Sequence, residues 1–305
     1  MTSAPSGSVD SGPSRDNEKP ALLSVLESVS TIVAPITLIA ALAFYIGLVR
    51  QQELAIYLGL QAGLLGLSYQ DYLFRSTATL VPFVAGLSTF LLVLAVLALL
   101  ARELLSARSK PLRRLGASVA FGIGLLLMVF GMWRLFTGGA VTGAWYLVGP
   151  IALFTGCALL LAYGSALLHD EGLGGVTSNR FASIAYTTPL VALMLVSVFW
   201  AANDYARRQG YSAGRSIERT VDATLPAVTI YSPDRLVFQS SQVRETFVGT
   251  GQEQSDRYRY EGFRLLLRGG ENYFLMPNDW SRHRDAVVML PHDSVRLEFR
   301  PGGGQ

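Results

Sequence analysis

Formal charge is what this sequence has least of. Asp, Glu, Lys and Arg make up 15% of its 305 residues, against about 25% in soluble domains. The hydrophobic share is an ordinary 50%, so the anomaly lies in the missing charge. Lysine is confined to Lys19 and Lys110, as a GC-rich coding sequence would give. The single cysteine, Cys157, sits in an apolar run. It excludes an intrachain disulfide and supports no CxxC or zinc pattern. Histidine occurs three times, at His169, His283 and His292, too dispersed for a metal motif. No phosphate loop, nucleophile elbow or HExxH is present, so no catalytic residue, cofactor or metal is expected. The net charge is +3 and the tail arginines alternate with acids. There is no basic stripe for nucleic acid.

The charge that exists is segregated. Fourteen arginines and thirteen acids fall from Asp204 onward, while long stretches before it have none. This is the pattern of a membrane bundle followed by a water-soluble unit. Five runs are long enough to cross about 30 Å of hydrocarbon as helix: 31–49, 77–101, 115–133, 145–168 and 182–202. Each must be helical, because a lipid-exposed open strand leaves backbone groups unpaired. Pro35, Pro82, Pro150 and Pro189 interrupt four of them, which membrane bundles tolerate when neighbouring helices satisfy the freed carbonyl. Gly122, Gly124 and Gly131, and Gly156 and Gly164, read as positions of close helix packing. No Asp, Glu, Lys or His lies midway along a run, which argues against a proton relay or a charge-coupled carrier. Arg134 ends the third run beside Trp133 and reads as a snorkelling interfacial residue.

Residues 1–20 are Ser, Gly, Pro and charge, and read as a disordered tail. They lack the layout of a cleaved secretory signal, so the first run is expected to be a retained anchor. Between the second and third runs stand Arg102, Arg108, Lys110, Arg113 and Arg114, opposed only by Glu103. By the positive-inside rule this loop is cytoplasmic. The N-terminal tail and the loop from His169 to Arg180 then share that side. Five spans put the C-terminal domain outside the cytoplasm. Arg207, Arg208, Arg215 and Arg219 pull the other way, but domains of this length translocate despite such charges.

Residues 204–225 read as a linker, or as a short helix between Arg207 and Val221. After Pro226 the apolar period becomes two. AVTIYS, RLVFQ, RETFVG, RYRYEGFRLLLR, NYFLMP, AVVML and SVRLEFR predict seven short strands of a small antiparallel β sandwich or barrel over 226–300. In RYRYEGFRLLLR the apolar phase slips at Gly262, which predicts a bulge. Gly269–Gly270 supplies a turn into the next strand. His283 and His292 read as surface histidines, and Asp279, Asp285 and Asp293 as loop residues. The fold class is thus a membrane all-α bundle of five helices plus a β-rich domain.

The stretch Arg50–Ser76 joins the first two runs and falls on the same side as the β domain. Glu53 to Leu60 continues the first helix, and Gly63 and Gly66 mark a turn. Ser68 and Asp71 read as a capping box, which starts the second helix before the membrane. Tyr69, Tyr72 and Phe74 would lie in an interfacial aromatic belt. A sharper expectation is that Tyr57, Leu64, Leu65, Leu67 and Tyr72 form a platform on which the β domain docks.

YLGLQAGLLGLSYQDYLFRS, VTIYSPDRL and YRYEGFRLLLRGGENYFLMP resemble segments of an uncharacterised family of actinobacterial multi-pass membrane proteins. The resemblance covers most of the chain after the tail. It implies a cell-membrane location and an extracytoplasmic C-terminal β-rich domain, and it brings no catalytic residues. The function expected first is a non-enzymatic envelope sensor, scaffold or partner-binding protein. Its partners would be the lipid bilayer and an extracytoplasmic protein or small-molecule ligand. A transporter or channel component is the alternative. A membrane enzyme acting on lipid or wall precursors is a third reading, resting on Asp71 and Arg75 or on His169, Asp170 and Glu171.

Overall fold

A computed structural model describes residues 18–66, 68–106, 110–137, 144–170, 180–249 and 256–301. Most of the predicted N-terminal tail, Leu67, and much of the loops carrying Arg108 and Glu171 lie outside these residues. The chain forms two compact units, Met1–Leu42 and Ala43–Gln305. The first is helical over its described part. All contacts described below belong to the second.

Five helices are long and apolar enough to cross a membrane by length and composition. They are α1 (Glu18–Tyr57), α2 (Tyr69–Ser106), α3 (Lys110–Thr137), α4 (Val148–Asp170) and α5 (Arg180–Arg219). Helix thus starts at Glu18, inside the predicted tail. The predicted linker is helix too: α5 runs on to Arg219, and one further turn, α6 (Val221–Thr224), follows. The apolar run ends at Ala202, but no proline follows until Pro226, and Ala206, Arg207, Arg208 and Gln209 are good helix formers. Loss of hydropathy there leaves the backbone helical.

The bundle is closest between α3 and α4. A Cβ on Gly131 would stand 2.7 Å from the Leu153 Cβ, and one on Gly156 would stand 2.5 Å from the Met128 backbone nitrogen. Only glycine allows this approach, the device by which membrane helices pack without a hydrophobic driving force between them. Leu153, Cys157, Leu160 and Leu190 form the core where α4 meets α5. Two hydrogen bonds fix that pair: Ser197 donates to the Pro150 carbonyl at 2.6 Å, and Tyr186 donates to the Leu160 carbonyl at 2.5 Å.

The C-terminal strands are β1 (Ala227–Ser232), β2 (Arg244–Phe247), β3 (Tyr258–Gly269), β4 (Asn272–Pro277), β5 (Val288–Pro291) and β6 (Arg296–Arg300). They form one antiparallel sheet in the order β5-β4-β3-β1-β6, with β2 also paired to β3. The predicted sandwich or barrel is therefore a single six-stranded sheet. The predicted strand at 235–239 is irregular. Its Leu236 and Phe238 pack on the sheet core, and the Leu236 N–H donates to the Tyr260 hydroxyl at 2.7 Å. Its alternating apolar residues lie across the sheet instead of extending it.

β3 organises the domain. β1 pairs with its Tyr258–Arg264 stretch. On the opposite edge β2 pairs with Tyr258–Glu261 and β4 takes over from Phe263. Gly262 sits at the handover with φ 101°, a backbone region that favours glycine. Opposite it the register slips, so that two β3 residues face Thr229 alone, which is a β-bulge. A Cβ at Gly262 would stand 2.2 Å from the Gln242 carbonyl oxygen.

Both faces of the sheet are covered. Val228, Ile230, Tyr260, Phe263, Leu275 and Leu290 face one side, under Leu236 and Phe238. Phe274 and Met276 face the other, against the ends of helices and the turns between them. Phe274 through Pro277 are consequently all buried. This accounts for NYFLMP, which has lost the alternation expected of a strand with one wet face.

Candidate functional site: the joint between helix ends and sheet

α1 and α5 leave the apolar region side by side. A Cβ at Gly210 of α5 would stand 2.4 Å from the Arg50 carbonyl oxygen, and one at Gly214 would stand 2.5 Å from the Tyr57 ring. Arg207 of α5 binds Glu53 of α1 at 2.5 Å. The small residues let the helices approach, and the ion pair sits at the edge of the contact.

Glu218, in the last turn of α5, ties three elements together. It accepts from the Tyr57 hydroxyl of α1. Its other oxygen accepts from the Arg282 N–H at 3.1 Å and lies 3.4 Å from the Ser281 hydroxyl, both in the β4–β5 loop. The Arg282 guanidinium lies 4.7 Å from the centre of the Tyr57 ring, a cation–π contact. Tyr211 packs edge-on against the same ring at 5.1 Å. Below this polar knot Tyr57, Leu58, Val221, Met276 and Trp280 make a buried cluster.

A second contact is apolar. After α1 the chain makes a 3₁₀ turn, Ala62–Leu65, which inserts Leu65 beside Ala55 and Phe274. The Gly66 turn and the Gly269–Gly270 turn lie back to back. A Cβ on Gly66 would stand 2.9 Å from the Gly270 nitrogen, and one on Gly269 would stand 1.9 Å from the Leu65 carbonyl oxygen. Gly66 and Gly270 also adopt φ 57° each. Side chains at Gly66 or Gly269 would push the sheet off the helix ends.

A third contact is ionic. Arg264 of β3 bridges to Asp222 of α6 at 3.3 Å, to the Leu225 carbonyl at 3.2 Å and to Asn278 at 3.0 Å. Burial, together with a carboxyl–carboxyl hydrogen bond to Asp279, holds the Asp222 pKa above the ordinary carboxylate value, against the opposing pull of Arg264. Asp285 goes the other way. Burial works to raise it, but Arg284 and the Ser281 N–H outweigh that and hold it below the ordinary value.

Of the residues singled out by sequence, Tyr57 and Leu65 lie in this joint. Leu64 is exposed, because the 3₁₀ turn directs Leu65 inward. Tyr72 packs edge-on against Phe44 of α1, ring centres 6.1 Å apart. Leu67 is outside the described residues. Ser68 and Asp71 exchange hydrogen bonds: the Ser68 N–H donates to Asp71 Oδ2 at 2.9 Å, and the Asp71 N–H donates to Ser68 Oγ at 3.3 Å. This reciprocal pair caps the start of α2. Glu218, Trp280, Arg282 and Arg264 were not singled out. Glu218 and Tyr57 are 161 positions apart, and nothing local marks them as partners.

His292 is exposed, stacked on Tyr273 at 5.2 Å and 3.2 Å from Asp293. His283 is exposed in the β4–β5 loop. Among the described residues no group of three His, Cys, Asp or Glu is placed to hold a metal ion. A groove of about 500 Å³ opens between α1, α3 and α5, lined by Tyr45, Leu135, Leu195, Val196, Phe199, Trp200 and Asn203. Its one polar corner is the Tyr45 hydroxyl donating to Asn203 at 3.2 Å.

The arrangement ties the helix ends to the sheet. No protein-family model matches the chain, and no curated protein and no solved structure matches it either.

Proposed function

We propose that this chain is a multi-pass protein of the cell membrane that holds a β domain firmly against its outer surface as a non-enzymatic sensor, scaffold or partner-binding module. The observation carrying this reading is the joint. Glu218 ties α1, α5 and the β4–β5 loop in one knot, and Leu65 and Phe274 close a second contact. A domain seated this way keeps a fixed orientation to the bilayer. Its helix-facing side is used up, and the other surfaces are left for a partner. There β2 is exposed at all four residues, and Phe247, Val248 and Phe299 are exposed apolar groups that an edge-binding or surface-binding partner would cover.

The sidedness follows from charge. The cluster from Arg102 to Arg114 belongs in the cytoplasm, and five crossings carry the sheet to the opposite side. A reporter fused after Gln305 that works only outside the cytoplasm is expected to be active. Activity of a cytoplasm-only reporter instead overturns the topology. Proximity labelling from the β domain is expected to return a recurrent extracytoplasmic partner, and labelling is expected to fall when Phe247 and Phe299 are both changed to Ser in a folded protein.

The groove beside Tyr45 and Asn203 favours a second reading, a transporter or channel component. It is mostly apolar and open to the side. Reconstituted protein that moves a metabolite or ion, with loss on Asn203→Leu, would establish it.

A further inference from the structure

Arg50 and Arg75 meet where α1 and α2 approach each other, and no carboxylate among the described residues pairs with either. Arg50 donates through Nη1 to the Arg75 carbonyl oxygen at 3.3 Å. One turn earlier the helices nearly touch: a Cβ on Gly47 would stand 2.4 Å from the Tyr72 carbonyl oxygen. Arg50 Nε is buried and has no acceptor among the described residues. Arg75 is exposed. Asp71 attracts Arg75 through space without an ion-pair contact, and both nearby acids spend their hydrogen bonds elsewhere. Glu53 binds Arg207. Asp71, one turn before Arg75, accepts from both the N–H and the hydroxyl of Ser68.

Two like charges held together disfavour each other, and a buried donor without an acceptor is costly. An anion between them relieves both. Guanidinium groups suit phosphate, because their forked donors match its oxygens. The position selects the source of that phosphate. Arg50 closes the first apolar run and Arg75 stands two residues before the second. Both therefore lie at one hydrocarbon boundary, at the depth of lipid headgroups. Phe74, beside Arg75, is 79% exposed, and Val81, two turns along the same face of α2, is 61% exposed. They form an apolar track leading away from the cations, such as an acyl chain would follow.

We propose that Arg50 and Arg75 bind the phosphate of an anionic membrane lipid whose acyl chain lies along Phe74 and Val81. This rests on the membrane placement proposed above and is independent of what the β domain binds.

The test uses the full chain purified in non-ionic detergent, titrated with dioleoyl phosphatidic acid, with dioleoylglycerol and with inorganic phosphate, and read by native mass spectrometry. Phosphatidic acid is expected to saturate at one molecule per chain. Dioleoylglycerol and inorganic phosphate are expected not to bind in the same range. Arg75→Gln, at an exposed position, is expected not to lower the lipid-free melting temperature and to weaken phosphatidic acid binding about tenfold. Arg75→Lys is expected to recover part of it, and Arg50→Gln to weaken it similarly if it folds. Wild-type affinity in Arg75→Gln overturns the proposal, as does equal binding of dioleoylglycerol. Binding of inorganic phosphate alone, lost in Arg75→Gln, overturns the lipid source and leaves a free-anion site. Alkaline carbonate extraction separates the two levels of failure. Release of the chain from membranes refutes the membrane placement itself, whereas retention without lipid binding refutes only this site.

Discussion

The helix with the highest span hydropathy and a strand with four consecutive buried residues have opposite fates. α2 has the highest hydropathy of the five long helices, yet none of its most apolar stretch is buried within the chain. β4 is six residues long and buries Phe274, Leu275, Met276 and Pro277 completely or nearly so. Hydrophobicity states what a segment avoids; it does not name what covers it. β4 is covered from within, by the sheet core on one side and by helix ends on the other. α2 leaves that stretch uncovered by the chain.

Removing a covered side chain sharpens the contrast most. Phe274→Ala opens a cavity between sheet and helix ends and is expected to cost about 3–5 kcal/mol, read as thermal unfolding in detergent. Leu92→Ala, on the exposed face of α2, is expected to stay within about 0.5 kcal/mol. Equal losses would show that α2 is covered by protein.

Next comes a charge on α2. Leu92→Arg is expected to cost about 2.5–3.5 kcal/mol of membrane insertion, read as a fall in membrane-integrated protein. Val237→Arg, at a still more exposed position in the loop over the sheet, is expected to change nothing measurable.

The joint ranks third. Tyr57→Phe removes one hydrogen bond to Glu218 and is expected to cost about 1 kcal/mol, and Glu218→Ala more, because it strands the Arg282 N–H and the Tyr57 hydroxyl. Hydrogen exchange is expected to quicken in the β4–β5 loop and not in α3 or α4. Uniform acceleration would mean that Glu218 stabilises the bundle instead of the joint. Asp71→Ala, which removes the side-chain half of the capping pair at the start of α2, is expected to cost about 1 kcal/mol and to quicken exchange in the first turn of α2.

The smallest effects are those of pH, and they oppose each other. Asp222 has a raised folded pKa. Its contribution is full below the unfolded value and is lost as pH rises through the folded value. Asp222→Asn is expected to flatten the fall in stability above pH 3.8. Asp285 has a lowered folded pKa. Its contribution is present above the unfolded value and is lost as pH falls through the folded one. Asp285→Asn is expected to flatten the loss below pH 3.8. A single pH titration of the melting temperature for each variant checks both signs.

Local chemistry was legible wherever a residue acts on its own neighbours. The phase slip around Gly262 reads as a corner because alternation records which face is wet. Ser68 and Asp71 read as a cap because the exchange spans three residues. RLVFQ misleads for the same reason: alternation records one covered face, and a loop lying across a sheet alternates as a strand does. The end of the apolar run at Ala202 misleads in another way, since α5 keeps its backbone hydrogen bonds well after its surroundings change.

The sequence by itself determined five helices of membrane-crossing length and composition, because charge is costly in hydrocarbon and its absence is written residue by residue. It also determined a strand-rich tail, because a pleat alternates. Only the tertiary structure decided that the strands form one sheet, that helix ends cover its second face, and that Glu218 meets Tyr57 and Arg282. Those contacts join positions far apart in the chain, and each side chain is satisfied only by what folding brings to it. The same holds for Arg50 and Arg75, two ordinary boundary arginines in sequence that the α1–α2 approach brings together.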